Sequence, residues 1–229
     1  MEMNNPLLLG ALATASYITR ISNRRPNPPP KDKGNPKEDI LLAAQFLPAA
    51  REWLSIILQV AHIILASQFP PRPSNLCPDP SRLNPKYFTW NPYTMTCIAF
   101  IIIPGLIRLS AFKELGKSFT FELAKPAGLV TTGLYAYVQH PSYPTDVVLT
   151  TANFALFMNP DGWAGCFLPQ SIITLWTTYK AVTYVGLFAI PAFFFSFRIR
   201  QEEALLKETF GKEWEVWHAK TARFIPFIY

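Results

Sequence analysis

Charge is scarce in this sequence: 16% of its 229 residues are charged while half are hydrophobic. Tyr93 to Ile107 and Ala181 to Phe197 contain no charged residue at all. A bilayer crossing needs about 20 predominantly apolar residues, with a range down to about 17. An ordinary soluble domain of this length would not need such runs, so the chain is read as all-α, a transmembrane bundle of about five spans. Cysteine is also rare. Cys77, Cys97 and Cys166 lie far apart, with no CxxC and no Cys/His ligand spacing. That pattern predicts neither a structural disulfide nor a zinc site, and no metal is expected. The net charge of +6 raises nucleic acid as a partner. The basic residues lie beside apolar runs without a nucleic-acid-binding motif, however, so anionic membrane lipids are the expected partner and nucleic acid is not.

Pro6 to Ile21 is the first apolar segment. No basic region precedes it and Arg20, Arg24 and Arg25 close it, which fits a reversed anchor better than a cleaved signal. Asn23 to Asp39, centred on Pro28-Pro29-Pro30, reads as a stiff solvated loop. Ala49 to Phe69 is the second span. His62 within it has no acidic residue at a neighbouring helical position and is read as a packed or hydrogen-bonded residue. Pro70 to Asn91 is a proline-rich loop, and the third span follows from Pro92 to Phe112 with a kink expected near Pro104-Gly105.

Residues 1–112 are taken as the N-terminal helices and 113–229 as the functional core. In the second part, Asp146 to Asn159 is a short apolar element and Asn159 to Gly162 a turn. Cys166 to Tyr179 is broken by Pro169, Gln170 and Ser171 and is expected to be a re-entrant or interfacial helix. Ala181 to Phe197 is the last span. Beyond it, Glu202 to Ala219 alternates charge with Leu205, Leu206, Phe210, Trp214 and Trp217, the spacing of an amphipathic helix interrupted at Gly211. With a lumenal N-terminus, the stretches 20–51, 108–144 and 198–229 face the cytosol. They carry 7, 4 and 6 of the 21 lysines and arginines, the asymmetry that sets membrane orientation.

Two stretches fit neither a clean span nor a polar loop. The first is LVTTGLYAYVQHPSY, Leu129 to Tyr143. Thr131-Thr132-Gly133 offers a turn with backbone donors, Tyr135, Tyr137 and Tyr143 offer ring faces for an adenine or a sulfonium, and His140-Pro141 fixes a bend. The second is Arg198-Ile199-Arg200-Gln201-Glu202-Glu203, where the last span meets the charged tail. Glu202 can accept from ribose or amino groups, and Arg198 can grip a carboxylate in two-pronged fashion. The competing structural readings are an interfacial tyrosine belt, a solvated face for the glutamates, and an arginine that reaches to the head groups.

Read together, LVTTGLYAYVQHPSYP and RIRQEEALLKETFGKEWEVWHAKTARFIPFI resemble the isoprenylcysteine carboxyl methyltransferase family of integral membrane enzymes. The likeness covers roughly the C-terminal half. It implies methyl transfer from S-adenosylmethionine to the C-terminal carboxylate of prenylated proteins at the endoplasmic reticulum, with the motifs and the C-terminus cytosolic. It also implies that Ala127, Gly128, Leu129, Val130, Tyr135, His140, Pro141, Ser142, Tyr143 and Glu202 hold the cofactor, while Arg198 serves the acceptor carboxylate. Two positions depart from the family pattern. Ala127 stands where histidine is common, so the backbone has to hold the cofactor there. Gln139 stands where arginine is common, and is expected at the reacting groups as a hydrogen-bond donor. A phospholipid methyltransferase and a non-catalytic protein that keeps the scaffold are the alternatives.

Overall fold

The computed structural model describes residues 5–28, 47–70, 73–75, 77–120 and 123–224. Most of the proline-rich stretch expected as a loop, from Pro29 onward, and the end of the second motif from Ile225 lie outside the described residues. The described residues form six α-helices: α1 (Asn5–Asn23), α2 (Leu47–Ser67), α3 (Pro92–Leu115), α4 (Ser142–Phe157), α5 (Gln170–Phe210) and α6 (Lys212–His218). Among the described residues there is no strand, only two isolated bridges. α3 and α5 are each long and apolar enough to cross a membrane.

α3 is the central element, packed on α4 and α1; α2 lies on α1, and α5 on α4 and α6. Its start is well specified. The Asn91 side chain accepts from the backbone N–H groups of Tyr93 and Thr94 at 2.9 and 3.2 Å, and Pro92 occupies the first turn, where no N–H is missed. Gly105 marks the tightest crossing, since a Cβ there would collide with Ile18 of α1 and press on Leu149 of α4. Small residues let helix backbones approach where apolar burial cannot tell lipid from protein. Polar side chains add a second adhesive: the Asn153 amide of α4 donates to Thr19 of α1 at 3.0 Å and accepts from Gln59 of α2 at 2.9 Å.

The main core lies around the N-terminal end of α3. It joins Leu12 of α1, Leu65 of α2, Ile98 and Ile101 of α3, and Leu156 and Phe157 of α4 to the loop residues Tyr87 and Phe88. His62 belongs to this core as the sequence suggested. Its ring stacks on Phe88 at 4.7 Å, meets Phe157 edge-on, and places Nε2 3.0 Å from the Tyr87 carbonyl.

Three expectations are corrected. Cys77 and Cys166 form a disulfide, contrary to the reading of the cysteines as unpaired. Their separation of 89 residues hid the pairing, which joins the α2–α3 loop to the α4–α5 loop. Cys166 to Tyr179 is not a separate re-entrant helix. After Pro169, α5 runs unbroken from Gln170 through Lys180 and Pro191 to Phe210. A proline inside a helix removes a single backbone hydrogen bond, and here the rod continues past it. At 41 residues it is roughly 60 Å long, twice the thickness of a hydrocarbon core. The amphipathic tail is consequently the last turns of α5 plus the short α6. Gly211, at φ +53°, makes the expected break between them.

Candidate functional site

The other end of α3 is assembled from polar side chains. Gly133 enters the left-handed region at φ +61°, and a Cβ there would sit 2.5 Å from the Glu114 carboxylate. Glycine lets that carboxylate close on the turn, where it accepts from the Leu134 N–H at 2.7 Å. The turn's donor is therefore used by Glu114. From this turn the chain passes through Tyr135 to His140-Pro141. Pro141, buried, starts α4 with Ser142 and Tyr143 in its first turn.

Four of the expected residues converge. The Tyr143 hydroxyl donates to Glu202 Oε1 at 2.6 Å, and Arg198 Nε donates to the same oxygen at 3.0 Å. His140 lies between consecutive carboxylates, with Nδ1 3.6 Å from Glu202 Oε2 and Nε2 3.5 Å from Glu203 Oε1. These separations exceed a full hydrogen bond. Phe195 packs on the Tyr143 ring at 4.8 Å. Arg198 is 3% exposed, which removes the reading in which its head group reaches out to lipid phosphates. It turns inward to Glu202, one helical turn on, at the spacing that brings side chains together.

The remaining expected residues form the surroundings. Ala127 and Gly128 lie on an exposed bend, and a Cβ at Gly128 would meet open space. Leu129 and Val130 pack on a second, smaller core of Ala111, Tyr135, Trp214 and Trp217. Tyr135 is part of that core, and its carbonyl accepts from the Trp217 indole N–H at 2.8 Å. Burial, with the charges of Glu114 and Glu202 adding to it, pushes its phenol well above the ordinary tyrosine range.

The Gln139 side chain bonds the tail. Its amide donates to the carbonyls of His218 at 3.2 Å and Thr221 at 2.8 Å and to the Thr221 hydroxyl at 2.9 Å. Its own oxygen lies 2.8 Å from His218 Nδ1. The backbone continues the grip, with Gln139 N–H on Ala222 O at 2.8 Å, His140 N–H on Arg223 O at 3.0 Å and Ala222 N–H on Tyr137 O at 3.1 Å. The tail after α6 therefore lies alongside the first motif.

Arg108 and Asp146 were not singled out from the sequence, yet they brace the site. Arg108, buried at the end of α3, donates to Ser142 O at 2.7 Å and Ser22 O at 3.0 Å, and lies 3.4 Å from Asp146 Oδ1. The guanidinium also covers the Phe112 ring at 4.9 Å. One cation thereby ties α1, α3 and the start of α4 together. The available signal was a basic and an acidic residue at matching ends of two successive apolar segments.

Residues 97–177 match the model of the isoprenylcysteine carboxyl methyltransferase family. Beyond it, the chain is 30% identical over 145 residues to the protein-S-isoprenylcysteine O-methyltransferase of Schizosaccharomyces pombe, an alignment covering 62% of this chain and 52% of the relative. It is 27% identical over 135 residues to a probable enzyme of that name in Oryza sativa, covering 57% and 60%. Protein-S-isoprenylcysteine O-methyltransferase A of Arabidopsis thaliana shares 26% over 135 residues, covering 57% and 58%. The chain thus spans a little over half the length of these curated family members.

Proposed function

We propose that the chain transfers a methyl group from S-adenosylmethionine to the C-terminal carboxylate of a prenylated cysteine. The observation that carries this reading is the meeting of Tyr143, His140, Arg198 and Glu202 from two distant segments. The residues suit the cofactor: the Glu202 carboxylate complements the ammonium of its amino-acid end. Glu202 would accept from that ligand, the Tyr143 ring would border its charged sulfur, and the open backbone at Ala127-Gly128 would leave room beside Leu129 and Val130. Bound there, the cofactor supplies an electrophilic methyl carbon on a sulfonium.

The acceptor carboxylate is ionised at neutral pH, so this reaction asks the protein for alignment and partial dehydration rather than for a base. Arg198 supplies a buried, permanently charged group at the place where an anionic acceptor has to be held. That cation disfavours the alternative acceptor, a lipid amine, which would have to shed a proton. Gln139 serves by fixing the tail against the motif.

The membrane setting follows the same reading. Five crossings by α1 to α5 from a lumenal N-terminus would leave the site facing the cytosol at the endoplasmic reticulum, together with 17 of the 21 basic residues. The disulfide supports this orientation independently. Cys77 and Cys166 sit at the opposite end of α3 from the site, in the loops assigned to the lumen, and disulfides persist in oxidising compartments.

Labelled methyl transfer to a farnesylcysteine analogue tests the proposal. Activity is expected in the wild type and a loss of about 100-fold in Glu202→Gln, the scale of removing an electrostatic contact at a reacting centre. Transfer to a lipid amine in place of the prenylated acceptor would establish the phospholipid reading. Transfer to neither would leave a non-catalytic scaffold.

A further inference from the structure

We propose that Arg223, in the tail, is a positioning residue of this site. By balancing the charge of Glu203 it leaves His140 to support Glu202. The inference rests on the methyl-transfer reading for its consequence, though not for its geometry.

Glu202 and Glu203 are consecutive on α5 and point to different sides of the helix, about 100° apart. His140 fills the angle between them. Each carboxylate has its own arginine: Arg198 for Glu202, and Arg223 for Glu203. Arg223 uses both prongs, Nε to Oε1 and Nη2 to Oε2, each at 3.0 Å. Glu203 is buried, and a buried carboxylate that loses its counterion draws on whatever cation or proton remains within reach. The nearest such group is the His140 ring. The other charged or titratable groups around that ring are Glu202 on α5, Tyr143 on α4 and His218 on α6.

The backbone makes the arrangement a closed circuit. The His140 N–H donates to the carbonyl of Arg223, whose guanidinium holds Glu203, whose Oε1 faces His140 Nε2. The tail residue that fixes His140 through the main chain thus also neutralises the carboxylate on the far side of the ring. With Arg223 gone, Glu203 competes with Glu202 for the imidazole, and the ligand-facing carboxylate loses its support.

The test uses the full chain in detergent, with S-adenosylhomocysteine titrated calorimetrically. Arg223→Gln is expected to weaken binding about tenfold, the loss of one charge-assisted contact. Arg223→Lys should fall between this variant and the wild type. Removing the unbalanced charge should then restore binding, so that Arg223→Gln combined with Glu203→Gln approaches the wild type. If the arginine only anchored the tail, Glu203→Gln alone would be as damaging and the double variant no better; that result overturns the proposal.

A second readout needs no cofactor. The chain has three histidines, and 15N spectra of their rings at pH 7, with His140→Asn to assign the signal, report the proton directly. Arg223→Gln should move the His140 signal toward imidazolium and the double variant should return it. An unmoved signal overturns the proposal. Failure of the wild type to bind S-adenosylhomocysteine would remove the methyl-transfer reading, while these spectra still decide the coupling.

Discussion

At its N-terminal end α3 is enclosed by a capping asparagine, a large apolar core and two loops joined by a disulfide. At its C-terminal end the core is small, and Arg108, Asp146, His140, Arg198 and Glu203 are all buried. The first end is held by burial and a covalent bond. The second is held by charges whose partners come from α1, α4, α5 and the tail. Buried ion pairs add little net stability but are costly to break on one side. The site end is therefore the end that a single substitution can dismantle, whereas the stapled end loses stability without losing shape.

Arg108→Leu is expected to break this contrast most severely. It strands Asp146 and two carbonyls, so unfolding in detergent should come at lower stability by about 3–5 kcal/mol, the cost of leaving one buried charge unpaired. Hydrogen exchange should rise over 137–146 and stay low over 83–88. Asp146→Asn in the same background should recover part of the loss.

Cys77→Ser probes the other end. Stability should fall by about 2–4 kcal/mol, the usual contribution of a disulfide that closes a long loop. Binding of S-adenosylhomocysteine should remain within about threefold of wild type, because a stability change far from a site adds to its energetics independently. A large loss of binding would show that the two ends are coupled.

The smallest effect is pH dependence of the tail. Burial lowers the His218 pKa below its ordinary 6.5, with the charges of Arg223, His140 and Lys207 adding to it and Glu203 opposing. Between the folded and unfolded values the unfolded chain binds more protons. The tail's stabilisation is thus fully present above 6.5 and is lost as pH falls through the folded value. Amides of Gln139 and His140 should exchange faster at pH 5.5 than at pH 7.5, after correction for intrinsic rates, and His218→Gln should flatten that difference.

Local patterns made the helical class legible: uncharged runs marked α3 and much of α5, and Gly211 marked the break before α6. The meeting of His140, Tyr143, Arg198 and Glu202 could be expected from the two motifs. What could not be read were relations between segments far apart in sequence. Pro169 does mark the start of α5, but Lys180 and Pro191, which also look like punctuation, lie inside it, and the helix runs past the lone charge and the missing hydrogen bond. Arg108 lies within a span by sequence, and its partners Asp146 and Ser142 are more than 30 residues away. The hydrogen bonds of Gln139 go to the carbonyls of His218 and Thr221, the Thr221 hydroxyl and the His218 ring, partners about 80 residues away that no local pattern announces.

The unbroken course of α5 has a mechanical consequence. Near its start, where Arg82 bonds Leu168 O and Tyr184 meets Asn159, the rod is moored to the stapled loops; near its finish it carries Arg198, Glu202 and Glu203. One continuous helix thus joins the mooring to the load, so a tilt of the rod would carry both glutamates with it.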